Sequence, residues 1–421
     1  MPASCWSHPT ARSRTEPQSR SALYRPEAFE PLSEEPWDEE RVRARIREIV
    51  ADADGAFDPD DLWPADEWDG WNTPQPLKSL YVGAAGVIWA LDALRSRGHA
   101  ESRLDLAAAA RRTLASWRET PDFMTGVELP SRPRASLLCG ESGILVVAWR
   151  LAPSADLADD LLARVCENAG NEADDLMWGA PGTLLAARAM LDRTAEARWA
   201  EAWRESAEEL WRRRDADGTW THRLYGDSYR GLGAAHGAVG NVAVLLGGGD
   251  LLAPERREIL ARETAALLAR TAFVADGLAN WPGEERAELA GADGQIRLQW
   301  CSGGAGVVIS AASYLDEELL LAGAELIWRA GPHGLEKGAG LCHGTAGNGY
   351  ALLKAFERTA DERWLDRARR FAVHALGQVE RLRARRGRGR YSLWTGDVGT
   401  ALFAADCLDA RSAYPVVDTW D

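Results

Sequence analysis

Residues 341–356 read LCHGTAGNGYALLKAF. Two glycines three residues apart, Gly344 and Gly347, lead an apolar stretch with helical spacing. The same arrangement recurs as SLYVGAAGVIWALDAL (79–94), SLLCGESGILVVAWRL (136–151), DLMWGAPGTLLAARAM (175–190), GAAHGAVGNVAVLL (233–246), WCSGGAGVVISAASYL (300–315) and YSLWTGDVGTALFAADCL (391–408). The leading glycines are Gly83, Gly140, Gly179, Gly237, Gly303, Gly344 and Gly396, about 52 residues apart on average. That period suits a pair of helices joined by loops of variable length.

Each repeat has a physical reading. The glycines permit a tight turn and a close helix approach. The Ala, Leu and Val that follow make a helix apolar nearly all round, and such a helix is buried on several sides. Between the glycine motifs lie charged amphipathic segments, such as ARWAEAWRESAEELWRRRDADG (197–218) and DERWLDRARRFAVHALGQVERLRARRG (361–387). These read as outer helices with one apolar and one wet face. Seven such pairs predict an all-α, (α/α)7 double-ring toroid, with an unclosed solenoid as the alternative. Because glycine leads every inner helix, all seven motifs gather at one rim. Residues 1–40 are expected to form a flexible tail and residues 41–421 a single toroid domain. The glycine repeats themselves leave out residues 1–70, including the Pro-, Asp- and Trp-rich DDLWPADEWDGWNTPQP (60–76).

The composition narrows the function. The chain has 421 residues and a net charge of −15, which argues against generic binding to nucleic acid or anionic lipid. The Arg-rich ERLRARRGRGR (380–390) reads as a solvated helix end. No stretch approaches the ~18–20 apolar residues of an integral membrane segment. The N-terminus lacks the apolar core of a signal peptide, so a cytoplasmic location is expected. Six cysteines are too few for a disulfide framework in a chain this long. The 19 tryptophans against 7 phenylalanines supply large flat groups for packing helices or lining a concave site.

Three motifs carry residues that a packing helix does not need. Cys301 and Cys342 each stand two residues before their leading glycine, and His343 follows Cys342. Two thiols and an imidazole at one rim suit one Zn2+ with an open fourth position. Just before a helix N-terminus, the dipole favours thiolate. Cys166 and Cys407 lie in helical runs and Cys139 is one residue out of register, so these read as packing residues. His236, just before Gly237, is placed for proton transfer or fills the barrel as a neutral ring. Asp175 either orients His236 or starts a helix. Arg297 and Lys337, shortly before Cys301 and Cys342, are solvated loop cations or hold a carboxylate or a developing enolate.

With GAAHGAVG around His236, RLQWCSG around Cys301 and KGAGLCHGTAGNGYALL around Cys342, the chain resembles the lanthionine synthetase C-like (LanC-like) family over roughly residues 60–410. The resemblance implies a toroid with one catalytic zinc on Cys301, Cys342 and His343. It implies His236 as acid/base, supported by Asp175 and Arg297, with Trp300 and Lys337 in substrate binding. The implied reaction is Michael addition of a cysteine thiol to dehydroalanine or dehydrobutyrine. The implied partners are a dehydrated precursor peptide, with dehydration by a separate dehydratase, or glutathione and a protein bearing dehydroamino acids. The second set fits the stand-alone type, which the context of Lys337 resembles. Ser302 stands where family members often carry an aromatic residue or a histidine, a departure that bears on substrate preference. An (α/α) glycoside-processing toroid needs paired carboxylates at the rim. The rim offers cysteines and histidines instead.

Overall fold

A computed structural model describes residues 23–285, 289–290 and 294–420. Within them the glycine-led stretches form seven helices: α2 (Ala84–Ser96), α4 (Glu141–Leu151), α6 (Ala180–Thr194), α8 (Ala238–Gly247), α10 (Gly304–Ser310), α12 (Thr345–Thr359) and α14 (Asp397–Leu408). The amphipathic segments form α1 (Glu39–Ala56), α3 (Leu106–Glu119), α5 (Ala155–Asn168), α7 (Ala197–Arg212), α9 (Pro254–Thr271), α11 (Glu317–Ala330) and α13 (Glu362–Arg386). Each inner helix packs on the next, and α14 packs on α2, so the ring closes. The fold is the expected all-α toroid. Two hairpins of three-residue strands, His222–Leu224 with Asp227–Tyr229 and Phe273–Ala275 with Leu278–Asn280, follow α7 and α9.

Burial separates the two rings as the patterns predict. Every residue of α2 from Ala84 to Leu94 is buried. In α3 only Leu106, Ala109, Ala110, Thr113, Leu114 and Trp117 are buried, a single stripe at helical spacing. Tryptophans fill the space between rings, among them Trp89, Trp117, Trp199, Trp203 and Trp364. The C-terminal segment plugs the centre. Tyr414 is fully buried, stacks on Trp300 with centroids 5.3 Å apart, and donates its hydroxyl to the Leu341 carbonyl at 2.9 Å.

The toroid takes in part of the N-terminal stretch: α1 packs on α14 and α13 as an outer helix. Its buried face is Val42, Ile46, Ile49, Val50 and Ala53. The first helix in the chain thus covers the last inner one. Of the expected tail, residues 1–22 lie outside the described residues. Residues 23–38 run against the toroid, where the Glu30 carboxylate accepts from His374 Nε2 at 2.7 Å and Gln378 Nε2 at 2.9 Å.

The two kinds of helix start differently. Asp38, Asp105, Ser154, Asp316 and Asp361 cap outer helices with their side chains. All seven inner helices have the leading glycine as N-cap and no side-chain cap. Backbone carbonyls seven residues upstream take over: the amides of Ala84, Ala238, Thr345 and Asp397 donate to Leu77, Gly231, Gly338 and Arg390 at 2.9–3.1 Å. The chain therefore doubles back on itself just before each helix. The second glycine makes room for this. A Cβ on Gly86, Gly143, Gly182, Gly240, Gly306, Gly347 or Gly399 would lie 1.8–2.5 Å from the carbonyl oxygen six residues earlier. Only Gly303 among the leading glycines has a positive φ, of 102°, so close approach explains the pattern better than turn conformation.

The doubled-back loops also bond to one another. Tyr81, Cys301, Cys342 and Trp394 all stand two residues before a leading glycine. Their amides donate to the carbonyls of Leu138, Cys342, Trp394 and Tyr81, which hold the same position in the adjacent motif, at 2.8–3.2 Å. Leu176 N–H donates to Ala235 at 3.1 Å, and the Ser136 hydroxyl donates to Met177 at 2.6 Å. Between the fourth and fifth motifs, Gly233 packs on the Cys301 carbonyl, where a Cβ would lie 2.4 Å away. The rim is a closed belt of loops.

The same substitution should therefore have opposite effects at two helical glycines. Gly347→Ala puts a Cβ 1.8 Å from the Leu341 carbonyl and should cost about 1–3 kcal/mol. Gly377→Ala in α13 meets nothing within 4 Å and should gain about 0.5–1 kcal/mol. Urea or thermal melts decide, and equal losses would refute the close-approach account.

Candidate metal centre and active site

The belt fixes what lies beside what. Cys301 N–H donates to the Cys342 carbonyl at 3.2 Å, so the two cysteines are neighbours although 41 positions separate them. One donor atom each from Cys301, Cys342 and His343 lies within 4.8 Å of the others. Tetrahedral zinc with bonds of ~2.0–2.3 Å holds its donors roughly 3.3–3.8 Å apart. Two sulfurs and an imidazole this close, at a helix-start rim, fit such an ion in both spacing and donor chemistry. Cys342 and His343 are buried and Cys301 is partly exposed, which leaves one side open.

Surrounding groups contact the donor set. Gln299 Nε2 donates to Cys301 Sγ at 2.9 Å, and a hydrogen bond to a charged acceptor is stronger than to a neutral one. Beneath the site, burial first, and then Cys342 and Cys301, hold the Tyr414 phenol well above its usual range. Trp300 is fully buried against Trp394, 4.5 Å between centroids, and against Tyr414. The Trp300 indole thus packs in an aromatic cluster next to Cys301.

The neighbouring motifs carry the second group. His236 Nδ1 lies 2.5 Å from Asp175 Oδ2. The same carboxylate accepts the amides of Trp178 at 2.7 Å and Gly179 at 3.2 Å through Oδ1. Through Oδ1 Asp175 braces the turn before α6, and through Oδ2 it faces His236. It is fully buried while the His236 side chain is 29% exposed, so the pair has an anchored end and an accessible end. With Nδ1–H donated to Asp175, Nε2 is the nitrogen free to exchange a proton. In ring order Asp175, His236, Cys301 and Cys342 come from the third, fourth, fifth and sixth motifs and form one arc.

Arg297 and Lys337 have backbones next to this arc. The Arg297 carbonyl accepts from Asn280 Nδ2 at 3.1 Å, and Lys337 N–H donates to Gly334 at 3.1 Å. Both side chains are partly buried. His333 lies behind the metal ligands, its imidazole pulled down to about 3 by burial first and then by the Lys337 charge.

Sequence reasoning missed three groups. Gln299 lies inside RLQWCSG, where its register two before Cys301 was a usable signal. His222, fully buried with Nδ1 3.0 Å from the Ala173 carbonyl, is pulled down by burial and lies near Asp175. Trp68 stands over His343, with ring centroids 5.0 Å apart. The arginines after α13 also differ from the expected solvated helix end. Arg386 pairs with Asp66 at 2.9 Å, Arg388 donates to the Ala65 carbonyl at 2.8 Å, and Arg390 pairs with Asp69 at 2.7 Å. They grip the loop that carries Trp68. Among the other cysteines, Cys407 is buried as expected, whereas Cys166 is exposed. The Cys139 thiol is pushed well up by burial.

A family model described as lanthionine synthetase C-like protein matches residues 77–419. The chain belongs to this family. A zebrafish (Danio rerio) protein named glutathione S-transferase LANCL1 is 31% identical over 204 residues, 46% of this chain and 47% of that protein. The chain thus spans about half the length of that curated relative. The solved structure of nisin cyclase superposes with a TM-score of 0.57, covering 87% of this chain and 94% of that chain at 14% identity. At that identity the likeness concerns the fold alone.

The donor group makes a direct prediction. Cys301→Ala and Cys342→Ala should each lose most of the zinc that the purified chain retains, whereas Cys407→Ala should keep it. Elemental analysis measures this, and full zinc in both rim variants would refute the grouping.

Proposed function

We propose that the protein adds a thiol across the double bond of a dehydroalanine or dehydrobutyrine residue, with one zinc ion held by Cys301, Cys342 and His343. The observation that carries this reading is the arc itself: three soft-to-borderline donors within 4.8 Å, next to an imidazole anchored by a buried carboxylate. Zinc, when bound, lowers the pKa of a thiol at its open position, so that thiolate is present at neutral pH.

The chain's own residues supply the rest. The thiol loses its proton to solvent, and its sulfur forms a bond to the β-carbon of the dehydroamino acid as the C=C π electrons move toward the carbonyl. The α-carbon of that enolate must then gain a proton. His236 delivers it from Nε2 and regains a proton from solvent, with Asp175 fixing the ring through Nδ1. Arg297 offsets the enolate charge, and Lys337 holds a substrate carboxylate. The sum is addition of one S–H across one C=C, with no oxidant or further cofactor needed.

In the leading form the thiol is a cysteine of the same dehydrated precursor peptide, so the product is a thioether ring and a separate dehydratase supplies the substrate. The name of the zebrafish relative favours glutathione as the thiol, and in this second form it adds to dehydroamino acids in a protein. No helix among the described residues is long and apolar enough to cross a membrane. We place the reaction in the cytoplasm.

The test uses a peptide with one dehydroalanine and one cysteine, with and without glutathione, followed by mass spectrometry and thiol alkylation. Ring closure blocks alkylation without changing mass, whereas glutathione addition raises the mass. His236→Ala should keep its zinc and lose about 10²–10⁴-fold in rate. Asp175→Asn should lose less. Wild-type rates in zinc-loaded His236→Ala would move the protonation step to water or substrate.

A further inference from the structure

The loop between α1 and α2 is acidic and rich in tryptophan, and the reaction sketched above makes no use of it. Its central residue, Trp68, touches two fixed groups. The His343 ring lies 5.0 Å away at an interplanar angle of 59°, and the Arg390 guanidinium carbon lies 5.2 Å from the Trp68 ring centroid. Arg390 is itself fixed by Asp69, whose side chain is 2% exposed and also accepts from the Thr395 hydroxyl at 2.8 Å. Thr395 directly precedes the seventh leading glycine, so this anchor is part of the rim belt. On the other side of Trp68, Asp66 accepts the Trp68 amide at 3.1 Å and pairs with Arg386 at 2.9 Å. Both neighbours of Trp68 along the loop are thus tied to the segment between α13 and α14.

A surface loop needs none of this. Two ion pairs and a cation–π contact hold one indole in one place, against an imidazole assigned to the metal. We propose that Trp68 is a positioning residue for His343, holding the imidazole in its coordinating orientation and covering that side of the centre from water. This rests on the metal reading above. Groups that orient a metal ligand commonly change metal affinity by about 10–100-fold when removed. An aromatic ring orients an imidazole by restricting its rotation, as a hydrogen bond does by direction. Trp71, on the same loop but 53% exposed, is a built-in control.

The experiment uses the full chain loaded with zinc, and measures release to a chromophoric chelator. A parallel sample loaded with cobalt(II) reports ligand geometry through its absorption bands. Trp68→Ala should release zinc about 10–100-fold faster and alter the cobalt bands. Trp68→Leu, which keeps apolar bulk without a ring, should behave likewise. Trp68→Phe should restore most of the difference, and Trp71→Ala should match wild type. Wild-type release and an unchanged cobalt spectrum in Trp68→Leu would overturn the proposal and leave the metal reading intact. A wild-type chain that retains neither metal would overturn the metal reading, and the proposal with it.

Discussion

The rest of the structure depends on the contact between the second glycine of each motif and the carbonyl six residues before it. At 1.8–2.5 Å from that oxygen, no side chain is admissible at seven positions. This contact lets the chain double back against the start of each inner helix, and the doubling back replaces side-chain capping with backbone hydrogen bonds. It also turns the residue two before the leading glycine toward its counterpart in the next repeat. Packing between inner and outer helices alone would permit an open solenoid. The belt of loops is what matches a ring of seven.

Function follows from the same register. Once equivalent positions in adjacent motifs are hydrogen-bonded, a cysteine at two of them creates a pair of thiols without any special local fold. His343 and His236, one residue before their glycines, then join the same arc, and Asp175 reaches His236 from the motif before. Helix starts at this rim add a positive end to each dipole. The aromatic floor of Trp300, Trp394 and Tyr414 closes the ring from below, and the loop carrying Trp68 covers it from above. A centre that handles a thiolate and an enolate benefits from such enclosure, because charge interactions strengthen where water is excluded.

Much of this was legible in the sequence because the repeat converts linear spacing into spatial adjacency. The ring, its two layers and the grouping of Cys301, Cys342 and His343 follow from a shared offset to glycine. The Asp175–His236 pair was readable for the same reason, though the bracing of the turn before α6 by the same carboxylate was not. What lay outside the repeat was not legible. α1 has no glycine-led helix before it in sequence, so its place behind α14 is visible only in three dimensions. Trp68 meets His343 across 275 positions, through ion pairs whose arginines look like an ordinary wet helix end. Trp300 shares a motif with Cys301, but its indole is fully buried whereas Cys301 is partly exposed.

The central claim is that the repeat register assembles one metal centre from two sulfurs and one nitrogen. X-ray absorption at the zinc K-edge of the purified chain tests it most directly. The account predicts two sulfur scatterers at ~2.3 Å and nitrogen or oxygen scatterers at ~2.0–2.1 Å. A first shell of oxygen and nitrogen alone would contradict it, because the metal would then lie away from Cys301 and Cys342.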